Sequence, residues 1–510
     1  MTRKSSRMIP VRKLSNKSSI GGSLSLSKIV ATIGPASENL PVLPQVVDAG
    51  MRIMRINFSH ATFDEADLRM KNLRGTTGLT LTGGNLRAVM LDTQGPEIRT
   101  GSFGTDGNED YVKGDVVTLS TDHSLRTSQT KDKLFITYDK IMDTVDINSV
   151  ILLDDGEIEL RVLEKDRGNG EIKAEVVNAG QLGSRKGVNL PGSKVQLPAM
   201  SDKDRVDIAW GIRNDIDYIA VSFVRKAEDI EEIRAYVDSL MKEAGYPAEH
   251  PHPQLISKIE STEAMDNFEE ILAASDGIMV ARGDLGVEIP METLANAQKH
   301  IVRMSNEAGK PVIVATQMLE SMQKNPRPTR AECTDVANAI FDGADCVMLS
   351  GESAKGSYPV GAVAMMQRII NSAESSQGEE NDVSFIPVPE SADNRESISV
   401  ATVAGSKALG ASCILVKCAS GRTAQSIAKF RPSCPIIAFV SSLKHGRMLQ
   451  MYRGIHPVLS DESTLHISDL AEKAKSLGFI SPGDKLVVVA AEANNEDLSN
   501  AFGMHIVTAK

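Results

Sequence analysis

Eight short runs rich in Val, Ile, Ala and Met recur over roughly the first two thirds of this 510-residue chain. The runs are, in order, Lys28–Gly34, Met51–Asn57, Leu86–Asp92, Ile216–Phe223, Pro253–Glu260, Gly277–Gly283, Pro311–Thr316 and Cys346–Gly351. Runs this apolar are typical of parallel strands buried on both faces, and helical signals follow them. Eight such units predict an α/β fold with a (β/α)8 TIM barrel, whose active site lies at the carboxyl ends of the strands.

One connection is far too long for such a barrel. More than a hundred residues separate Asp92 from Ile216, whereas a strand–helix–strand unit takes about thirty. The segment contains short β-branched runs divided by turn signals such as Asp154-Asp155-Gly156 and Gly168-Asn169-Gly170. We therefore predict a small β-barrel domain over residues 95–196, inserted above the barrel mouth as a lid that excludes water.

The two ends of the chain differ from the barrel region. Glu374–Asp382 is polar and indicates a linker, after which helical and strand-like segments alternate again as in an open α/β domain. We expect barrel residues at 28–94 and 197–385 and the last domain at 386–510. Residues 1–27 are basic and Ser-rich without Asp or Glu. They fit either a disordered arm in a cytoplasmic protein or the transit peptide of a plastid or mitochondrial one.

Composition excludes several classes of partner. The net charge of -11 argues against nucleic acid, which requires a basic face. No apolar run is long enough to span a bilayer. The five cysteines are odd in number and lack CxxC spacing, which fits free thiols rather than a disulfide framework or a zinc site.

Charged side chains gather where the predicted strands end. Glu260 and Asp284 come from neighbouring strand ends and can share one hard cation, Mg²⁺ or Mn²⁺. Lys258 lies two residues before Glu260 and therefore on the same face of its strand. A lysine beside a metal suits a site that neutralises a transferring phosphoryl group. The alternative is a structural ion pair between Lys258 and a carboxylate.

A second set of oxygen ligands lies at two other strand ends. It comprises Asn57, Ser59, Asp92 and Thr93. With one formal negative charge, the set suits a weakly charged cation better than a second Mg²⁺. Hydrogen-bonded loop capping is the alternative.

Several longer runs make the chain resemble the pyruvate kinase family, from about Lys28 to the C-terminus. They are Thr32–Ser37, Asn57–His60, Asp92–Thr100, Ile278–Gly286, Ala315–Ser321 and Asn325–Glu332. The resemblance implies transfer of a phosphoryl group from phosphoenolpyruvate to ADP, giving pyruvate and ATP in the last step of glycolysis. It also implies a Mg-bound enolpyruvate that is then protonated, a K⁺ cofactor and a homotetramer.

The resemblance also implies a role for each matching residue. Arg55 and Lys258 would contact the phosphoryl group, and Thr316 would lie where the enolate is protonated. Ser222 and Arg99 would lie near the substrate, and the backbone at Ala281, Gly283 and Asp284 would receive its carboxylate. The nucleotide would meet Pro35, Arg55, Asn57, His60, Lys186 and Asn189, and Asp155 would approach on closure of the lid. Glu260 and Asp284 would hold Mg²⁺, and Asn57, Ser59, Asp92 and Thr93 would hold K⁺.

One position departs from the family pattern. Gln94 follows the Asp-Thr pair where K⁺-dependent relatives usually carry lysine, whereas Glu97 is the residue expected of them. We therefore expect K⁺ dependence.

A loop in the last domain is a candidate effector site. It comprises Cys418, Ser420, Gly421, Arg422 and Thr423 and precedes a predicted helix. Hydroxyl groups, a glycine and an arginine at a helix start can cradle phosphate, although simple N-capping explains them equally well. The resemblance favours a sugar bisphosphate here. The segments that hold a second phosphate in some relatives are absent, so an insensitive enzyme remains open.

Two other functions compete with this hypothesis. Mg²⁺-dependent enolate aldolases and lyases also place Glu and Asp on neighbouring barrel strands, but they need neither an ADP site nor a K⁺ set. A non-catalytic binding paralogue would be expected to lack the lysine or a metal carboxylate. Lys258, Glu260, Asp284 and Thr316 are all present.

Overall fold

The computed structural model describes residues 24–76, 85–104, 107–380, 392–460, 466–491 and 502–510. Residues 1–23 of the basic tail, residues 381 and 382 of the predicted linker and residues 492–501 lie outside this description. The linker prediction was wrong for residues 374–380, which form the last turns of the helix Pro359–Glu380. Strands and helices are numbered in chain order. The chain begins with β1 (Lys28–Thr32), α1 (Val42–Ala49), β2 (Met51–Asn57), α2 (Phe63–Gly75) and β3 (Ala88–Asp92).

The inserted segment forms eight short strands. They are β4 (Glu109–Tyr111), β5 (Val116–Ser120), β6 (Lys133–Phe135), β7 (Val150–Leu153), β8 (Ile158–Asp166), β9 (Glu171–Val176), β10 (Gly180–Leu182) and β11 (Val188–Asn189), with the short helix α3 (Ile141–Thr144) before β7. Six of them form one sheet in the order β11-β7-β8-β9-β5-β6, and β4 pairs with β10. Single bridges from Arg99 to Gly187 and from Thr100 to Ile136 join the two edges, so the sheet curls into a small barrel around its own apolar core.

Among the described residues, the barrel resumes after the insertion with five strands and nine α-helices. The first eight of these elements are α4 (Asp202–Arg213), β12 (Tyr218–Val221), α5 (Ala227–Glu243), β13 (Gln254–Ile259), α6 (Thr262–Asp266), α7 (Phe268–Ala274), β14 (Gly277–Ala281) and α8 (Arg282–Glu288). Then come α9 (Leu294–Ala308), β15 (Val312–Ala315), α10 (Arg330–Asp342), β16 (Cys346–Leu349), α11 (Gly351–Ala354) and α12 (Pro359–Glu380). Helix α4 begins with a capping box, because Ser201 and Asp204 each accept the other's backbone N–H.

Eight parallel strands close into one barrel in the order β1-β16-β15-β14-β13-β12-β3-β2. Buried apolar side chains such as Val30, Ile53, Met90 and Met279 fill its interior. A second apolar layer lies between the strands and the surrounding helices. The barrel, the inserted curled sheet and the last domain confirm the predicted fold class.

The last domain is an open sheet with helices. Its elements are α13 (Asn394–Leu409), β17 (Cys413–Lys417), α14 (Arg422–Lys429), β18 (Ile436–Val440), α15 (Leu443–Met448), β19 (Ile455–Leu459), α16 (Ile467–Ser476), β20 (Lys485–Ala491) and β21 (Phe502–Thr508). The sheet order is β19-β18-β17-β20-β21, with only β21 antiparallel.

The last domain packs against the amino ends of the barrel strands. Tyr218 at the start of β12 donates its hydroxyl to the carbonyl of Met448, and Arg447 forms ion pairs with Asp215 and Asp217. This contact leaves the opposite end of the barrel open for a site. In the part of the chain that the structure describes, no helix is long and apolar enough to cross a membrane. All five cysteines lie within that part, and no disulfide joins them.

Candidate active site

A buried cluster of charges occupies the carboxyl end of the barrel. Asp92, fully buried at the end of β3, accepts from Arg55 Nε at 2.6 Å and lies 3.2 Å from Lys258 Nζ. Lys258 Nζ also donates to Ser222 Oγ at 2.7 Å. Burial alone would lower the pKa of Lys258, but the carboxylates of Asp92, Glu260 and Asp284 outweigh it and raise that pKa above its ordinary value. Lys258 is therefore a fixed cation.

Glu260 has one oxygen that the protein leaves without a hydrogen bond. Its Oε2 accepts from the backbone N–H of Phe223 at 2.6 Å. Its Oε1 is buried and lies 2.9 Å from Lys258 Nζ, but outside hydrogen-bonding geometry. Burial raises the pKa of Glu260 to about 7, and the charge of Asp284 adds to the rise. A buried carboxylate oxygen beside a second carboxylate fits a divalent cation. Glu260 and Asp284 therefore suit a Mg²⁺ or Mn²⁺ site.

The end of β15 is strained at Thr316. Its φ of 71° lies in the left-handed region, where β-branched residues are rare. Thr316 Oγ1 accepts from the backbone N–H of Gly283 at 2.7 Å, and Arg282 donates to the Thr316 carbonyl at 2.7 Å. The hydroxyl itself donates to the Ala315 carbonyl at 2.6 Å, so it joins the end of β15 to the start of α8. Such strain is common at functional positions.

The proposed monovalent-cation ligands divide into two pairs. Asn57 and Ser59 line the mouth cavity, and Asn57 Oδ1 accepts from the Ser59 N–H at 3.0 Å. Asp92, which pairs with Asn57 in the β2–β3 register, is buried with Thr93 behind them. Thr93 Oγ1 accepts from the backbone N–H of Ser222 at 3.1 Å.

A cavity of about 430 Å³ lies between the barrel mouth and the lid. The predicted residues that line it are Asn57, Ser59, His60, Glu97, Arg99, Asp155, Lys186, Asn189, Glu260 and Asp284. Across the cavity, Asn189 of the lid donates to Glu288 of the barrel at 2.9 Å. Burial, together with the charge of Asp284, raises the pKa of Asp155. The lid therefore already faces the carboxylates of Glu260 and Asp284.

The comparisons with known proteins agree with this geometry. Family models described as the pyruvate kinase barrel domain and the pyruvate kinase alpha/beta domain match residues 24–363 and 396–501. Curated pyruvate kinases of Sporosarcina psychrophila and Geobacillus stearothermophilus are each 42% identical over 94% of this chain and 80% of theirs. The chain belongs to the pyruvate kinase family. A crystal structure of a pyruvate kinase from Cryptosporidium parvum aligns with a TM-score of 0.86 and 36% identity, covering 96% of this chain and 97% of that one.

Membership of the pyruvate kinase family settles the class of reaction. The chain is a phosphotransferase enzyme that transfers the phosphoryl group of phosphoenolpyruvate to ADP in glycolysis. Pyruvate kinases generally depend on Mg²⁺ and K⁺. The enolate aldolases and the binding paralogue are therefore set aside.

The structure brings most, but not all, of the predicted residues of this pyruvate kinase to the cavity. Arg55, Asp92, Thr93, Ser222 and Lys258 form the charged and hydrogen-bonded floor next to the cavity-lining Glu260. Ala281, Gly283 and Thr316 lie beside Asp284. Pro35 is exposed after β1 and is not among the cavity-lining residues.

Three contacts in the pyruvate kinase site escaped the sequence analysis. The N–H of Phe223 orients Glu260, and Asp154 pairs with Lys186 at 2.8 Å. Arg225 bonds the chain segment that returns from the lid. Of these residues, only Asp154 stands out in the sequence, because it begins the turn signal Asp154-Asp155-Gly156.

The candidate effector loop in the C-terminal domain is a tight turn that leads into a helix. Gly421 has a φ of 78°, and α14 begins directly after it. Arg422 Nε donates to Ser420 Oγ at 3.2 Å. A Cβ at Gly421 would lie 2.7 Å from a methyl group of Leu449, so the turn requires glycine.

Proposed function

We propose that Lys258, Arg55, Glu260, Asp284 and Thr316 carry out the phosphoryl transfer at the carboxyl end of the barrel. The observation that carries this assignment is the convergence of a fixed cation, Lys258, on a buried Glu260 oxygen that has no hydrogen bond. Two carboxylates would hold the divalent cation, and the lysine and Arg55 would face the phosphoryl oxygens. Positioning and charge neutralisation account for most of the catalysis of such transfers.

The reaction has two steps, transfer of the phosphoryl group and protonation of the enolate. An oxygen of the terminal ADP phosphate attacks the phosphorus of phosphoenolpyruvate, and the bond from phosphorus to the enol oxygen breaks. Lys258 and Arg55 spread the phosphoryl charge during this step, and a bound Mg²⁺ would add further positive charge. The enolate carbon then takes up a proton relayed from solvent by a chain of water and hydroxyl groups that includes Thr316, which gives pyruvate and leaves the Thr316 hydroxyl protonated.

The substrates would lie on different walls of the cavity. The backbone where α8 begins, at Ala281, Gly283 and Asp284, would receive the substrate carboxylate, with Ser222 and Arg99 nearby. The Gly283 N–H, which donates to Thr316 Oγ1, would exchange that bond for the carboxylate. The nucleotide side would comprise Pro35, Arg55, Asn57, His60, Lys186 and Asn189, with Asp155 approaching as the lid closes. Lys186 and Asn189 line the cavity from the lid, which supports this division.

K⁺ would lie among Asn57, Ser59, Asp92 and Thr93. Glu97 accepts from both Gln94 Nε2 at 3.3 Å and Arg99 Nε at 2.6 Å, so Gln94 adds no charge to this edge of the site. Asn57 and Ser59 line the cavity, so their oxygens are accessible to a cation that enters from it.

The wider assignments are proposals as well. The domain boundaries are residues 28–94 and 197–385 for the barrel, 95–196 for the lid and 386–510 for the last domain. The enzyme acts in the cytoplasm as a homotetramer. Large apolar side chains exposed on the barrel and on β21, such as Phe341 and Ile506, suit subunit contacts. Cys418, Ser420, Gly421, Arg422 and Thr423 bind a sugar bisphosphate, supported by the tight turn before α14.

The test is pyruvate formation from phosphoenolpyruvate and ADP with Mg²⁺, with and without K⁺. We expect turnover that collapses when a bulky organic cation replaces K⁺. Fluorescence of Trp210, the only tryptophan, gives a second readout of K⁺ binding. The centre of its ring lies 5.1 Å from that of Phe58, the residue that separates the proposed ligands Asn57 and Ser59 in the sequence. Full turnover and an unchanged fluorescence titration in K⁺-free buffer would remove the K⁺ assignment. No turnover at all would remove the active-site assignment.

A further inference from the structure

Arg225 holds the chain segment through which the lid returns to the barrel. Its Nη1 donates to the carbonyl of Val195 at 3.3 Å, and its Nη2 donates to the carbonyls of Leu197 at 2.7 Å and Pro198 at 3.1 Å. These three residues lie outside any helix or strand, so no regular ladder supplies donors to them. The guanidinium of Arg225, a residue that is only 5% exposed, supplies them instead.

Arg225 itself is fixed to the barrel. Its backbone N–H donates to Asp229 Oδ2 at 3.0 Å, and the same carboxylate lies 3.6 Å from its Nε. Its carbonyl accepts from Asn267 Nδ2 at 2.8 Å. Both partners belong to the barrel wall, at the start of α5 and beside α7. Arg225, which we call the clamp, is therefore a rigid part of the barrel that holds the chain segment connecting it to the lid.

The outgoing segment is fastened at a matching point. The backbone N–H of Gly95 donates to Asp204 Oδ1 at 3.1 Å, and its φ is 78°. A Cβ there would lie 2.8 Å from both Phe223 and Ser222. Both chain crossings are thus held against the top of the barrel, and rotation of the lid must begin beyond them.

We propose that Arg225 is a positioning residue that fixes the hinge of the lid, so that Lys186 and Asn189 meet the nucleotide in one orientation. This proposal rests on the proposed function, because it takes the lid to carry the nucleotide side of the site. The planar fork of arginine suits this task, since it offers several donors in fixed directions. Lysine would offer a single flexible ammonium group.

The two substrates should respond differently to loss of the clamp. Phosphoenolpyruvate rests mainly on barrel residues such as Lys258 and Asp284, and Arg99 is the one lid residue proposed near it. ADP depends on the orientation of the lid. A loosened hinge therefore raises KM for ADP and lowers kcat, while binding of phosphoenolpyruvate to the free enzyme is preserved.

The experiment compares Arg225→Met and Arg225→Lys with Arg234→Met in the full-length protein. Arg234 is the matched control because it lies on α5 and bonds Asp276 and the Ala274 carbonyl, away from the lid. Steady-state kinetics give KM for ADP and kcat. Equilibrium binding of phosphoenolpyruvate with Mg²⁺ and K⁺, and hydrogen exchange across residues 190–197, give two independent readouts.

For Arg225→Met we expect at least a tenfold rise in KM for ADP, which is about 1.4 kcal/mol. We also expect faster exchange across 190–197 and phosphoenolpyruvate binding within about twofold of wild type, a difference of roughly 0.4 kcal/mol. Arg225→Lys should fall between Arg225→Met and wild type, and Arg234→Met should match wild type.

Two kinetic results would overturn the clamp: a wild-type KM for ADP in Arg225→Met, or equal weakening of both substrates, which indicates a merely structural role. If the wild-type protein makes no pyruvate, the proposed active site fails separately and hydrogen exchange alone decides. Faster exchange across 190–197 in Arg225→Met then supports the clamp, and unchanged exchange overturns it.

Discussion

Replacing Lys258 by Met removes the cation at the centre of the barrel floor while keeping a side chain of similar length. Lys258 Nζ lies within 3.2 Å of Asp92 and within 2.9 Å of Glu260, and the lysine side chain is only 11% exposed. Removing one partner of a buried ion pair costs roughly 3–5 kcal/mol. Arg55 still neutralises Asp92, and Glu260 can take up a proton, so we expect a loss of stability at the low end of this range.

The effect on turnover should be much larger than the effect on folding. Fixed cations that neutralise a transferring phosphoryl group are worth roughly 10³–10⁵ in rate, which is about 4–7 kcal/mol of activation free energy. A folded Lys258→Met enzyme should therefore lose at least three orders of magnitude in kcat, by an order-of-magnitude estimate. It should retain a cooperative unfolding transition.

The assay couples pyruvate formation to a lactate dehydrogenase readout, with urea unfolding followed in parallel. Lys310→Met is the control, because Lys310 Nζ bonds the carbonyls of Leu272 and Ala273 at the opposite end of the barrel. It should lose about 1–2 kcal/mol of stability but keep its turnover. Near-normal turnover in Lys258→Met, or an equal loss in both variants, would refute this account of the charge cluster.

Three further changes test other parts of the molecule. Asn57→Ala should raise the K⁺ concentration for half-maximal activity by at least about tenfold, or 1.4 kcal/mol, with a parallel shift in the Trp210 fluorescence titration; unchanged titrations would count against Asn57 as a ligand. Burial, with the nearby charge of Arg52, lowers the pKa of Lys28 to about 7. The unfolded chain therefore binds the extra proton between pH about 7 and the ordinary lysine pKa, and the free energy of unfolding should rise with pH there by at most about 1.4 kcal/mol per pH unit. Lys28→Met should flatten this rise in urea titrations at several pH values, and an identical slope would contradict the assignment. Gly421→Ala should lower the stability of the last domain by about 1–3 kcal/mol, because it combines a positive φ with a clash against Leu449; an unchanged unfolding midpoint would show that the loop can adapt.

The barrel could be predicted from sequence because its strands are buried on both faces and therefore apolar without interruption. Their ends could not be placed as well. The run Pro311–Thr316 was predicted as strand, but pairing stops at Ala315, because Thr316 turns into the left-handed region to bond Gly283. Likewise Gly283, the last residue of a predicted strand, lies in the first turn of α8. Both misplacements fall at the active site, where local geometry serves the chemistry.

The remaining gaps have a different origin. Strands β4, β10 and β11 have two or three residues each, too few for an alternating pattern to stand out. The side chains of the site were predictable because parallel strands end at one edge. The contacts that hold the lid connections were not predictable, because Gly95 with Asp204 and Arg225 with Val195 join residues far apart in the chain. No pattern along the sequence encodes such pairs.

The last domain seals the amino end of the barrel through Tyr218, Arg447 and the aspartates at 215 and 217, on the face opposite the lid. Strands β3 and β12 therefore run from this seam at one end to Asp92 and Ser222 at the other. A shift at this interface would therefore move Asp92 and Ser222 through these two strands, without any ligand entering the cavity. Substitutions at the seam can thus retune the enzyme while every group that touches substrate stays the same.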